Sequence, residues 1–216
     1  MEKFKKRLAV SVGLLGAFLL WTAAVCLIDV QPIGPRESSV GLATINRFAH
    51  DLTGVHFALY TVTDWLGLVP VAVGMGFGML GMVQWVGRKS ILKVDFSILV
   101  LGGFYLAVLA AYLLFERYPV NYRPVLIDGI LEASYPSSTT MLVLCVMPTA
   151  MLQLHSRIGS RLLRRCVLTA MTAFTAFMVI GRVLSGVHWI TDVIGGVLLS
   201  GGLVMLYYAV SGLEAE

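Results

Sequence analysis

Gly181-Arg182-Val183-Leu184-Ser185-Gly186-Val187-His188-Trp189-Ile190-Thr191-Asp192 is the stretch on which the reading of this chain turns. It sets an arginine, a histidine and an aspartate in a region otherwise apolar enough to cross a membrane. Ionisable residues at such a depth are costly and mark function. Asp192 follows His188 by four residues, so on a helix both side chains share one face and the carboxylate can hold the imidazole. Gly186 is a place to break the chain, with Arg182 ending one helix and His188 beginning the next. An arginine for an anion and a carboxylate-steadied histidine suit nucleophilic or acid–base chemistry on phosphate. The same residues also fit a buried ion pair at a helix contact, and the stretch alone leaves both open.

The rest of the chain has a membrane protein's composition. Of 216 residues 58% are hydrophobic and 13% charged, against about 25% charged in soluble domains. Several apolar runs of about 20 residues indicate an all-α, polytopic membrane bundle in one domain spanning 1–216. The net charge of +4 comes without a basic, aromatic-interleaved patch, so no nucleic-acid partner is expected. Cys26, Cys145 and Cys166 lie in apolar segments without CxxC spacing and read as small core residues. No ligand cluster has metal spacing.

Six spans are expected: Leu8–Ile28, Leu66–Val86, Val94–Phe115, Thr139–Leu154, Cys166–Leu184 and His188–Val210. The first follows a basic start but lacks an A-x-A cleavage site, so it reads as a retained helix. Val40 to Val62 is semi-polar and predicts an interfacial helix or a short cap over the bundle. Trp21, Trp65, Trp85 and Trp189 read as interfacial anchors. The glycine pairs Gly195-Gly196 and Gly201-Gly202 suggest close helix packing.

Eleven of the 16 Lys and Arg fall in one set of loops, from Lys3 through Arg88 to Arg165. Arg36, Arg47, Arg117, Arg123 and Arg182 fall on the other side. The positive-inside rule then predicts a cell-membrane protein with both termini cytoplasmic. Arg123, Pro136 to Thr140 and Arg182 to Asp192 converge on the outer face.

Two further stretches join the first there. One is the loop Glu116-Arg117-Tyr118-Pro119-Val120-Asn121-Tyr122-Arg123-Pro124. The other is Tyr135-Pro136-Ser137-Ser138-Thr139-Thr140, which opens the fourth span with Pro136 suited to a first helical turn. Free amides and hydroxyls at a helix N-terminus suit phosphate, although an ordinary Ser/Thr cap reads the same way. Asp128 and Glu132, between the two stretches, read as solvated loop charges.

Together the three stretches resemble the type-2 phosphatidic acid phosphatases, membrane enzymes related to the vanadium haloperoxidases. That family carries K-x6-R-P, P-S-G-H and S-R-x5-H-x3-D on a six-helix bundle. The resemblance implies His188 as the nucleophile forming a phosphohistidine and Asp192 as its orienting carboxylate. It implies Arg123 and Arg182 as clamps on the phosphoryl oxygens, with Ser137, Ser138, Thr139 and their amides completing the cradle. It implies a lipid phosphate substrate in a membrane and neither metal nor cofactor.

The departures from the pattern are Glu116 for the lysine, Thr139 for the histidine of the second motif, and Gly181 for the serine. The family's general acid is therefore missing, and threonine does not release a proton near neutral pH. A leaving group needing little protonation is one consequence. A phosphate leaving a pyrophosphate, with a pKa of about 6, is such a group, so a polyprenyl pyrophosphate suits the site better than phosphatidic acid. A replacement acid is another, with His50 and His56 as candidates. A site that binds lipid phosphate and turns over slowly is the third. The expected function is lipid phosphate or pyrophosphate hydrolysis, with phosphotransfer and catalytically weak binding as the alternatives.

Overall fold

The computed structural model describes residues 1–213 and is built of eight α-helices. They are α1 (Glu2–Leu27), α2 (Ala43–Thr53), α3 (Phe57–Leu66), α4 (Leu68–Arg88), α5 (Phe96–Arg117), α6 (Ser138–Arg157), α7 (Arg161–Leu184) and α8 (Ile190–Val210). No strand occurs among the described residues, only isolated bridges such as that between Tyr122 and Ala133. Six helices are long and apolar enough to cross a membrane: α1, α3 with α4, α5, α6, α7 and α8. The all-α, six-span bundle expected from the apolar runs is the architecture observed.

The lengths follow from the bilayer. At 1.5 Å per residue, about 20 helical residues cross the roughly 30 Å of hydrocarbon, and inside it only a helix or a closed barrel satisfies every backbone group. α6 and α8 occupy the centre, with half or nearly half of their apolar windows buried, while the other spans turn most of their surface outward. Leu19, Leu20, Val83, Val86 and Leu106 are among the exposed apolar side chains, as a lipid-facing surface requires.

Glycines let α8 pack closely at the centre. A Cβ on Gly195 would lie 2.6 Å from the Tyr135 ring, and one on Gly202 would lie 2.7 Å from Leu15 on α1. Ser11 on α1 donates to the carbonyl of Gly202 at 2.8 Å, so the two helices meet through a buried polar contact as well.

The segment before the second span differs from its single semi-polar outline. Gly54 takes φ +66 and ends α2, a conformation that suits glycine. α3 then begins at Phe57 and runs into α4 through Gly67, so the second crossing starts well before the expected Leu66. The apolar residues of Phe57–Leu66 are numerous enough to carry Thr63 and Asp64 into the crossing helix. α2 lies over the bundle as expected of a cap. Asn46 is buried against Thr191 of α8, while Phe48 and Leu52 face outward.

A polar knot fastens the end that carries the termini. The Asp95 carboxylate accepts hydrogen bonds from Gln84 at 2.9 Å, Arg88 at 2.9 Å and Arg157 at 3.1 Å. Arg157 also donates to Gln153 Oε1, and Gln153 Nε2 lies 2.6 Å from the hydroxyl of Tyr207. α4, α5, α6 and α8 are thereby tied at one level.

Candidate active site

The opposite end holds the chemistry, because three helix ends meet there. α5 ends at Arg117 and releases a loop to Ser137; α7 ends at Leu184; α8 starts at Ile190. Between α7 and α8, Gly186 takes φ +66, and a Cβ there would run into the carbonyl of Gly54. Only glycine allows this turn to press against the end of α2. His188 therefore lies in the connection, two residues before α8, and the continuous helix expected from His188 to Val210 is not what forms.

That displacement changes how the imidazole is held. Nδ1 of His188 lies 3.9 Å from Asp192 Oδ2, beyond hydrogen-bond length. The Ser134 hydroxyl fills the gap, 3.0 Å from Nδ1 and hydrogen-bonded to Asp192 Oδ2. Asp192 also accepts from Asn121 Nδ2 at 3.2 Å and from the Trp189 amide at 2.9 Å, so the same carboxylate caps α8. Instead of gripping the histidine directly, Asp192 acts through a serine.

The donors fix the proton positions. Arg123 Nη1 stands 3.1 Å from His188 Nε2, and a guanidinium can only donate. Nε2 must then be the unprotonated nitrogen, leaving the proton on Nδ1. From Nδ1 it points at Ser134 Oγ, whose own proton points at Asp192. Burial, followed by the charges of Arg123 and Arg182, holds the His188 pKa well below the ordinary 6.5. The result is a neutral imidazole with its free lone pair facing a guanidinium.

Arg182 approaches from α7 and is 1% exposed. Its Nη2 donates to Thr139 Oγ1 at 2.7 Å and lies 3.6 Å from Asp64 Oδ1; its Nη1 donates to Thr63 Oγ1 at 3.3 Å. Nε finds no acceptor in the protein, nor does the buried Oγ of Ser137. Burying a guanidinium costs several kcal/mol, on the order of the penalty for any desolvated ion, and one half-exposed carboxylate is a weak offset. Such a group is suited to an anion. Arg123 faces Glu132 Oε2, 2.9 Å from Nε but off the N–H axis, so that contact is ionic without an aligned hydrogen bond. The Tyr60 ring lies beneath both cations, 5.0 Å from Arg182 Cζ and 5.9 Å from Arg123 Cζ.

A family model described as the PAP2 superfamily matches residues 71–214. The chain belongs to the PAP2 superfamily. Its fold also resembles the crystal structure of a transmembrane PAP2-type phosphatidylglycerolphosphate phosphatase from Bacillus subtilis, with a TM-score of 0.52 and 21% identity. The likeness covers 93% of this chain and 94% of that one, and at that identity it establishes a shared fold. No curated protein matches the chain. Membership in the PAP2 superfamily and the six apolar helices together make this a multi-pass membrane protein.

Within this PAP2 bundle, Arg123, Arg182, Thr139, His188 and Asp192 gather at one end, with Ser137 beside them through its amide on the Asp192 carbonyl at 3.0 Å. Ser138 lines, with Thr139 and Asp64, a largely apolar cleft between α4, α5 and α6. Pro136 precedes the Ser137 cap instead of occupying the first turn. Neither His50 nor His56 reaches the arginines. His50 lies against the Trp189 ring, and His56 Nε2 pairs with the carbonyl of its neighbour Thr53. Trp189 is 3% exposed and donates to the Tyr122 carbonyl, so it is no interfacial anchor. Glu132, expected as a solvated charge, is an arginine partner.

Tyr60, Thr63, Asp64 and Ser134 had no place among the sequence candidates. For Asp64 a signal existed, since it is a carboxylate at the start of an apolar run. Ser134 had none. Among the described residues no three His, Cys, Asp or Glu side chains group as metal ligands.

Proposed function

We propose that this PAP2 protein is an integral membrane phosphatase that removes phosphate from a lipid phosphomonoester or a polyprenyl pyrophosphate. The observation that carries this is the His188 Nε2 lone pair, neutral, aimed at Arg123 and backed by the Ser134–Asp192 chain. In-line attack by Nε2 forms a phosphohistidine, and water then releases phosphate from it. Arg123 and Arg182 take up the charge on the equatorial oxygens, and Ser137 Oγ with the first amides of α6 completes the cradle.

The lipid reading rests on the cleft whose Thr139 and Asp64 contact Arg182. A space of 480 Å³ runs between α4, α5 and α6, with Pro70, Val71, Val108 and Leu109 along it and Asp64, Ser138 and Thr139 at its polar end. An apolar chain lying there puts a phosphate head next to Arg182. The basic loops around Lys3 to Arg7, Arg88 to Lys93 and Arg157 to Arg165 support cytoplasmic termini, which puts the arginines at the outer face.

Phosphate release from phosphatidic acid and a polyprenyl pyrophosphate, with purified wild type and His188→Ala, tests the assignment. Release that depends on His188 is the expected result. Lipid phosphate binding without any release would instead support a catalytically weak binder.

A further inference from the structure

No histidine other than His188 reaches the arginines, so a phosphomonoester leaving group needs its proton from somewhere else. We propose that Asp64 is the general acid that protonates the leaving oxygen, replacing from α3 the histidine absent at Thr139. The proposal rests on the phosphatase reading given above.

Position on the far side of the phosphate is the first argument. In-line displacement puts the leaving oxygen opposite the attacking nitrogen. Nε2 of His188 contacts Arg123 and Asp64 contacts Arg182, so a phosphate held by its equatorial oxygens between the two guanidiniums has the nucleophile at one cation and Asp64 at the other. Two side chains with transferable or acceptor oxygens meet the Arg182 Nη2 there: Thr139 at 2.7 Å and Asp64 at 3.6 Å. Threonine holds its proton; a carboxyl group can transfer one. Among the other carboxylates here, Asp192 is held behind Ser134 and His188, and Glu132 pairs with Arg123, so both lie on the nucleophile's side.

Access is the second. Asp64 lines both the apolar 480 Å³ cleft and an outer pocket of 310 Å³ that it shares with Tyr60, Trp65 and Asp128. The bond between phosphate and lipid must lie where the chain's cleft meets the polar mouth, and Asp64 is the carboxylate common to both. It is also 57% exposed, so proton exchange with solvent is open.

The groups facing Asp64 define how it cycles. Arg182 lies on α7, Tyr60 one turn back on α3, Asp128 across the outer pocket, and Arg123 with Glu132 beyond the Tyr60 ring. Without substrate, Asp64 stands 3.6 Å from Arg182. A phosphate dianion seated on Arg182 competes for that cation and frees Asp64 to face the leaving oxygen. The Nε2–P bond then forms as the P–O bond breaks, and the Asp64 proton goes to the leaving oxygen with the electron pair. In the second half, Asp64 takes a proton from the water that attacks the phosphohistidine, which restores the carboxyl group. The sum is one water consumed, with one alcohol and one phosphate released.

Phosphatidic acid, whose alkoxide leaving group is poor, and p-nitrophenyl phosphate, whose phenolate is good, separate this role from a structural one. Asp64→Asn is expected to lower kcat/KM, which reads only the steps up to the phosphohistidine, about 100-fold on phosphatidic acid, the usual worth of a general acid, and at least tenfold less on p-nitrophenyl phosphate. Asp64→Glu is expected to restore part of the difference. In wild type alone, the rate on phosphatidic acid relative to that on p-nitrophenyl phosphate is expected to fall as pH rises. Equal losses on both substrates, or a ratio independent of pH, would overturn the assignment while leaving His188 as nucleophile. If wild type releases no phosphate from these two substrates or from a polyprenyl pyrophosphate, or His188→Ala releases it undiminished, the phosphatase reading fails and Asp64's role fails with it.

Discussion

His188 Nδ1 and Asp192 Oδ2 stand 3.9 Å apart, and the hydroxyl of Ser134 joins them. The carboxylate is occupied three times over, by Ser134, Asn121 and the Trp189 amide, and so is rigid although it never touches the imidazole. Ser134 thus sets the ring's orientation and its tautomer. Removing the hydroxyl leaves Nδ1–H without an acceptor in a buried site and frees the ring to turn. Ser134→Ala is expected to lower kcat about 100-fold, the order of loss for a misplaced reacting atom, with KM little changed. Steady-state kinetics on a lipid phosphate measure it, and a loss under twofold would show that the serine only fills space.

The two arginines are each matched by one carboxylate, Arg123 by Glu132 at 2.9 Å and Arg182 by Asp64 at 3.6 Å. An incoming phosphate competes with both. Glu132→Gln removes one competitor without touching His188, and inorganic phosphate is expected to inhibit this variant a few-fold more tightly, in line with about 1 kcal/mol for a partly exposed ion pair. Inhibition constants for wild type and variant give the comparison; weaker inhibition in the variant would mean that Glu132 helps to hold the anion.

Much of this site was legible because its spacing is local. Arg182, His188 and Asp192 fall within eleven residues, and Arg123 follows a prolyl loop that no apolar span accommodates. The partners that decide the protonation state were not. Ser134 lies 54 residues from His188, in a loop with no periodicity to mark its facing. Thr63 is 119 residues from Arg182, and its segment looked too polar to join a crossing helix. The fold was easier to read than the site, since span length and hydropathy follow from the bilayer, whereas a hydroxyl's partner follows from how three helix ends meet. The turn at Gly186 is the specific reason that the i,i+4 argument for His188 and Asp192 gave the right neighbours and the wrong hydrogen bond.

The depressed pKa of His188 has a sign that can be worked out. In the unfolded chain the imidazole takes up a proton near 6.5; in the folded protein it stays neutral to well below that value. Below 6.5 the unfolded state therefore binds more protons, and stability falls as pH falls until the folded pKa is reached. Above 6.5 the group has no such effect. Thermal unfolding between about pH 7.5 and pH 5.5 should show wild type losing more Tm than His188→Gln, which has no proton to gain. Identical slopes would mean that His188 protonates freely in the folded site.

At the other end of the bundle, Asp95 is held by Gln84, Arg88 and Arg157, and these bonds, that from Gln84 foremost, lower its pKa to about 2. A carboxylate depressed in this way stabilises the fold above the ordinary 3.8, and that stability is lost as pH falls through about 2. Asp95→Asn should lower stability by about 1 kcal/mol at neutral pH, the modest figure suited to partly exposed charges. Thermal unfolding in detergent measures it. Catalysis should be untouched, since the knot lies at the opposite end from His188.

The most direct measurement is the capture of the phosphoryl group on the protein. Purified wild type, mixed with a lipid phosphate labelled in its phosphate and quenched within a turnover, should carry label that is stable in base and lost in acid, as a phosphoramidate is. The label should map to His188 and be absent from His188→Ala. Phosphate release at the same rate with no label on His188, or with label on another residue, would contradict nucleophilic attack by this imidazole.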